Sequence, residues 1–132
     1  PWIWLYCHSP EWGVTMVHVK PVAWVGSSLK DVQAMPEDVK DVLGFILRLV
    51  QQGARHATIK PLTGLPGVLE ITANVDTDTY RLVYAVNLPD AIYVLHAFKK
   101  KSTKGISTPK RELDLIRARL RRAQEASHER NR

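Results

Sequence analysis

Two apolar runs separated by a short turn constrain this chain more than any other feature. Tyr80–Val86 reads YRLVYAV and Ala91–Phe98 reads AIYVLHAF, with Asn87-Leu88-Pro89-Asp90 between them. Aromatic and β-branched residues at that density, bounded by turn formers, predict paired strands. A third run, Val68–Val75 (VLEITANV), leads into the first across Asp76-Thr77-Asp78. Residues 68–98 therefore predict a three-stranded antiparallel meander. A sheet of that size must bury at least one face, so the flanking sequence has to supply helices.

It does. His18–Val25 (HVKPVAWV) predicts a short strand, with Pro21 placing it at an edge or making it begin just after that residue. Ser28–Asp31 fits a capping box that opens a helix. Pro36 starts or kinks a second helical stretch, in which Val39, Val42, Leu43, Ile46, Leu49 and Val50 recur at helical spacing until Gly53. A Pro/Gly-rich connection, Arg55–Gly67, follows. After the meander comes a basic loop, Lys99–Ser107. Thr108-Pro109 then opens a last helix, with a narrow apolar stripe of Leu113, Ile116, Leu120 and Ala123. The order β-α-α-β-β-β-α predicts an α+β fold. Its small antiparallel sheet carries the helices on one face and leaves the other open to a ligand. Residues 1–15, which hold Trp2, Trp4 and Trp12, read as an N-terminal extension. Residues 16–126 form the domain, and 127–132 a tail expected to fray.

At 132 residues, 45% hydrophobic and 24% charged, the chain suits one globular domain. Its apolar runs fall short of the roughly 20 residues of a spanning helix, so no membrane association is expected. One cysteine, Cys7, permits no internal disulfide, and no Cys/His spacing suggests zinc. Without a visible signal peptide, the expected location is the reducing cytoplasm. The net charge of +6 is concentrated. Residues 99–122 carry ten basic side chains against Glu112 and Asp114, a segment charge of +8. Such a patch points to a polyanion, RNA or DNA first, or to an acidic protein; the plainer alternative is a solvated helix face.

Strand parity sharpens this. In the middle strand Tyr80, Leu82, Tyr84 and Val86 form the core face, and Arg81 points the other way, since burying it unpaired would be too costly. In the last strand Tyr93, Leu95 and Ala97 are assigned to the core, and Ile92, Val94, His96, Phe98 and Lys100 to the opposite face. Glu70, Thr72, Arg81, His96, Phe98 and Lys100 would then share a surface suited to a phosphate and a base. Each has a plainer reading. Arg81 can simply pair with Glu70, His96 can be a half-buried ring bonded to backbone, Phe98 can be core, and Lys60 can be a loop lysine.

Several stretches resemble a known family: GVLEI (Gly67–Ile71), TYRLVYAV (Thr79–Val86), YVLHAFKKKSTKGISTPKREL (Tyr93–Leu113), DLIRARL (Asp114–Leu120) and KPLTG (Lys60–Gly64). They are similar to the phage-derived branch of RelE-superfamily toxins, grouped with HigB. The resemblance implies a RelE-like fold and an mRNA-cutting toxin of a type II toxin–antitoxin pair. It also implies action on the translating ribosome, a helix-turn-helix (HigA-like) antitoxin as partner, and no cofactor. It maps the arginine that acts at the scissile phosphate onto Arg81, and the basic residue that aids the leaving group onto Lys100. The sequence departs from RelE in having no basic residue within Leu69–Thr72, and in having Ile106 where the late catalytic tyrosine falls.

The implied chemistry is metal-independent cleavage by the substrate's own 2′-hydroxyl. His96, or else Glu70, takes the proton; Arg81 stabilises the charged transition state; Lys100 supports the leaving oxygen. Phe98 would stack on a base. Lys60, Lys99, Lys101, Lys104, Arg117 and Arg121 would hold RNA backbone. No acidic cluster suited to Mg²⁺ is visible, so no metal site is expected. The rival readings are a non-cleaving ParE-like toxin and a basic module that only docks a partner.

Overall fold

The structure, a computed structural model, describes residues 2–3, 19–100 and 108–130. Lys101, Lys104, Ile106, and nearly all of the N-terminal extension with Cys7, lie outside the described residues. The elements are β1 (Trp2–Ile3), β2 (Val22–Trp24), α1 (Ser28–Gln33), α2 (Glu37–Gln51), β3 (Ile59–Pro61), β4 (Val68–Val75), β5 (Asp78–Ala85), β6 (Ile92–Lys100) and α3 (Lys110–Arg130). They build one six-stranded sheet in the order β1-β2-β6-β5-β4-β3.

The meander is present as expected, β4 and β6 both running antiparallel to β5. The β4–β5 hairpin turns through Asp76-Thr77, and Asp76 takes the φ of 56° that this tight reversal needs. β2 begins directly after Pro21 and pairs parallel to β6, so the sheet is mixed rather than wholly antiparallel. A parallel neighbour requires a long crossover, and the α1–α2 pair supplies its first part.

Sequence signals set the helix ends. Pro36 sits at the N-cap of α2. At its other end Gly53, with φ 79°, lets Gly53 N donate to Val50 O (3.0 Å) and Ala54 N to Leu49 O (2.9 Å). That pair of bonds is a Schellman stop. The capping box expected at Ser28 does not form: Ser27 is the N-cap, its side chain caps no helix amide, and its hydroxyl donates to Asp31 Oδ2 at 2.9 Å. Ser28 is instead buried and donates to Val94 O at 3.1 Å, tying α1 to β6.

The sheet is covered on both faces, which corrects the expectation of helices on one face only. Val39, Leu43, Ile46 and Leu47 of α2 pack on Ile71, Ala73, Tyr80, Leu82, Tyr84, Ile92 and Val94. On the opposite face Ile116 and Ala123 of α3, with half-buried Leu113 and Leu120, pack on Val83, Ala85, Tyr93 and Leu95. Both faces carry apolar side chains, and a bulge decides which residue meets which helix. Val83 pairs with His96 but Tyr84 pairs with Val94, so Leu95 is the extra residue. Beyond it the parity reverses, giving Ile92 and Val94 to the α2 side and Tyr93 and Leu95 to the α3 side. The parity assigned from sequence to residues 92–95 is therefore inverted, while that of residues 96–100 stands.

Helix α3 runs on past Ala126 to Arg130 instead of fraying. Its far end is fastened to the β5–β6 turn, where Ser127 Oγ donates to Asp90 Oδ1 (2.5 Å) and Tyr93 Oη to Asp90 Oδ2 (2.8 Å). Burial opposes ionisation of Asp90, but the bonds from Ser127 and Tyr93 outweigh it and hold the carboxyl below its ordinary value of 3.8. Burial and Asp90 push the Tyr93 phenol up to about 12. A carboxyl with a depressed folded pKa stabilises the fold above its unfolded pKa and loses that contribution as pH falls through the folded value. Asp90→Asn is therefore expected to cost about 1–2 kcal/mol at neutral pH in urea unfolding. The gap from wild type should close progressively as pH drops below that ordinary value.

Candidate functional site

Strand register lines up the chemistry. Thr72, Arg81 and Phe98 lie opposite one another across β4, β5 and β6, as do Glu70, Val83 and His96; Lys100 pairs with Thr79. Glu70, Thr72, Arg81, His96, Phe98 and Lys100 thus share one sheet face, as parity predicts. That face is not open, however. Arg81 is 5% exposed, His96 7% and Glu70 8%, because α3 and the chain around Lys60–Leu65 cover it.

Within this layer the candidates separate into two groups. Arg81 stands in a cleft of about 610 Å³ with Lys60, Pro61, Leu62, Thr63, Glu70, Thr108 and Leu113. Its Nη1 donates to Glu70 Oε2 at 3.1 Å and to Thr108 Oγ1 at 3.4 Å. Lys100 is close enough to sense both charges. Partial desolvation and the Arg81 guanidinium hold its ammonium below the usual lysine range, and Glu70 opposes them. Cationic donors, a hydroxyl and a carboxylate around an apolar-walled cleft can orient a phosphate ester and exchange a proton with it.

His96 belongs to the other group. Its Nε2 meets Glu112 Oε2 of α3, and its Nδ1 lies 3.4 Å from Arg119 Nη1. A guanidinium can only donate, so Nδ1 accepts and Nε2 carries the hydrogen directed at Glu112. The Phe98 ring stacks on the imidazole at 5.0 Å with 19° between planes. The expected roles of His96 as base and Phe98 as a base-stacking platform therefore conflict with the geometry: both edges and one face of the imidazole are engaged inside the protein.

Arg119 is the residue that sequence reasoning missed. It is 8% exposed, donates to Leu95 O (2.9 Å) and through Nη2 to Ser27 Oγ (2.9 Å). Burial holds its guanidinium below the usual arginine range, with Arg122 adding to this and Asp31 and Glu112 opposing. A signal existed. Arg119 falls three residues after Ile116 and four before Ala123, on the buried stripe. Gly26 makes room for it: a Cβ there, at φ 58°, would come within 2.7 Å of Arg119 Nε.

The remaining candidates lie on the surface. Lys60, Lys99, Arg117 and Arg121 are exposed; Lys99 pairs with Asp78 at 3.2 Å and Arg117 with Asp114 at 3.5 Å. Among the described residues, no group of three or more His, Cys, Asp or Glu side chains is arranged to hold a metal, and no helix is long and apolar enough to cross a membrane. Tyr84 is 1% exposed core, its phenol pushed by burial up to about 12.

The Glu70–Arg81 pair is nearly dry, which makes each partner costly to remove alone. Arg81→Ala is expected to cost about 3 kcal/mol in urea unfolding, because Glu70 remains buried without its cation. Arg81→Ala/Glu70→Ala should recover a measurable part of that loss in a double-mutant cycle.

Comparison with known proteins agrees with this architecture. The family model described as phage derived protein Gp49-like (DUF891) matches residues 30–121. A solved structure of the E. coli toxin RelE in the free state, in a variant with two arginines replaced by alanine, superposes with a TM-score of 0.54 at 19% identity. It covers 80% of this chain and 97% of that one. A search of curated protein sequences gave no match. With a family match spanning more than two thirds of its length and the RelE arrangement of sheet and helices, this chain belongs to the phage-derived Gp49-like family.

Proposed function

We propose that this protein is the toxin of a type II toxin–antitoxin pair and acts as a ribosome-associated mRNA endonuclease. The observation that carries this reading is the cleft around Arg81. A guanidinium held by Glu70 and Thr108 stands there beside Lys60, with Lys100 near enough to feel its charge. Similarity to the fold of a protein described as a toxin supports the same direction.

In this mechanism the RNA 2′-hydroxyl attacks the adjacent phosphorus, so DNA is not a substrate. Glu70 takes the hydroxyl proton, because both imidazole nitrogens of His96 are already committed to Glu112 and Arg119. Arg81 stabilises the negative charge that builds on the phosphoryl oxygens. Lys100 protonates or electrostatically supports the departing 5′-oxygen; a lysine held below its usual range gives up its proton more readily. The products are a 2′,3′-cyclic phosphate and a 5′-hydroxyl. Arg81 and Lys100 supply the positive charge, so the step needs no metal. Exposed Lys60, Lys99, Arg117 and Arg121 hold RNA or ribosomal backbone. The neutralising partner is a helix-turn-helix antitoxin of the HigA type, and the site of action is the cytoplasm.

A second reading, a non-cleaving ParE-like toxin, draws on one observation: β4 contributes Glu70 but no basic side chain. Inducing the protein and mapping mRNA 5′ ends separates the two. Wild type should generate new 5′ ends in translated messages. Arg81→Lys, which keeps a charge but loses the forked donor, should reduce cleavage about 100-fold. Growth arrest with intact messages and altered DNA supercoiling would overturn the nuclease reading in favour of the ParE-like one.

A further inference from the structure

We infer that Glu112, His96 and Arg119 form a positioning lock that holds the first turns of α3 against β6 and so sets one wall of the Arg81 cleft. The inference rests on the cleft being the working site. It assigns His96 a positioning role and not a proton-transfer one.

The lock begins with the bulge. By inserting Leu95, β6 leaves a carbonyl displaced from the regular ladder, and Arg119 Nη1 donates to it at 2.9 Å. The same nitrogen lies 3.4 Å from His96 Nδ1, while Nη2 reaches Ser27 Oγ, so one side chain joins α3, β6 and the β2–α1 loop. Seven residues earlier on α3, two helical turns away, Glu112 accepts from the other edge of the same ring. His96 is thus gripped at both edges by one helix, at two points along it. Phe98 closes one ring face at 5.0 Å.

What this grip positions is the cleft. Thr108 and Leu113, which flank Glu112, both line it, and Thr108 Oγ1 is a partner of Arg81. Leu113 N donates to Pro109 O at 3.0 Å, so the first turn moves with Glu112. The buried stripe of α3 does not do this alone. Its buried apolar anchors, Ile116 and Ala123, lie further along the helix, and Leu113 is only half-buried. Releasing Glu112 would free the turn that carries Thr108.

The test compares His96→Ala and Glu112→Ala with His96→Gln, whose amide can still donate towards Glu112. Cleavage of translated message in a ribosome-programmed reaction is read across pH, and amide hydrogen exchange is read over residues 110–116. Both alanine variants should lose about 100-fold in cleavage, as expected for a misplaced site. They should also exchange roughly tenfold faster in that segment. His96→Gln should recover most of both losses with the wild-type pH profile. Abolished cleavage at every pH in His96→Gln, with exchange at the wild-type rate, would make His96 a proton-transfer group and overturn the inference. If wild-type protein cuts no RNA, the nuclease reading fails by itself. The lock is then decided by exchange, and unchanged protection of residues 110–116 in both alanine variants would overturn it.

Discussion

One extra residue in β6 governs how the molecule is put together. Without Leu95 as a bulge, the β5–β6 pair would keep a single parity along its whole length. With it, the apolar side chains of the two faces are allotted as Tyr84, Ile92 and Val94 to α2, and Ala85, Tyr93 and Leu95 to α3. Two apolar faces require two covering layers. The final helix is therefore a structural layer in spite of its basic outer surface. Its inward stripe carries Arg119 because the bulge it covers has a carbonyl to satisfy.

Covering the second face decides where chemistry can happen. Chain packed over a sheet face must either pair the polar groups beneath it or leave a gap. Both outcomes occur. Near Leu95 the layer closes over His96, with Glu112 and Arg119 matched to its two nitrogens. Among the described residues, the helical cover begins only at Lys110, next to Thr108. The gap between Thr108, Leu113 and the Lys60–Thr63 segment is the cleft that Arg81 and Glu70 occupy. The same sheet face thus carries two buried polar clusters, one packed under α3 at His96 and one bordering the cleft at Arg81 and Glu70.

Much of this was legible in the sequence. The meander, the strand start after Pro21, the Gly53 stop and the α3 stripe follow from local rules that tertiary packing did not override. The gathering of Arg81, Glu70 and Lys100 on one face followed from a period of two, because those residues lie on the regular side of the bulge. Residues 92–95 were assigned the wrong way round because both of their faces are apolar, and nothing local marks where a bulge falls. His96 looked available because its partners, Glu112 and Arg119, are 16 and 23 residues away on another element. Arg119 was counted with the surface arginines on charge alone, although its spacing from Ile116 and Ala123 puts it inside.

The cleft also has a charge logic that the total of +6 conceals. Glu70 already occupies Arg81 Nη1, so on the proposed reading an entering phosphate must share or displace that carboxylate. Displacement is favourable only if the incoming anion offers more to the neighbouring cations than Glu70 does. Lys100 supplies that difference. Arg81 raises the cost of a charged ammonium at Lys100, and a phosphate between the two would turn their repulsion into shared attraction. A neutral ligand gains nothing from this exchange and would leave Arg81 bound to Glu70. On the proposed reading the ion pair therefore selects for phosphate before any base is read. Binding of phosphate would also release the Glu70 carboxylate from Arg81 beside the reacting group, a role closed to His96, whose two nitrogens are held by Glu112 and Arg119.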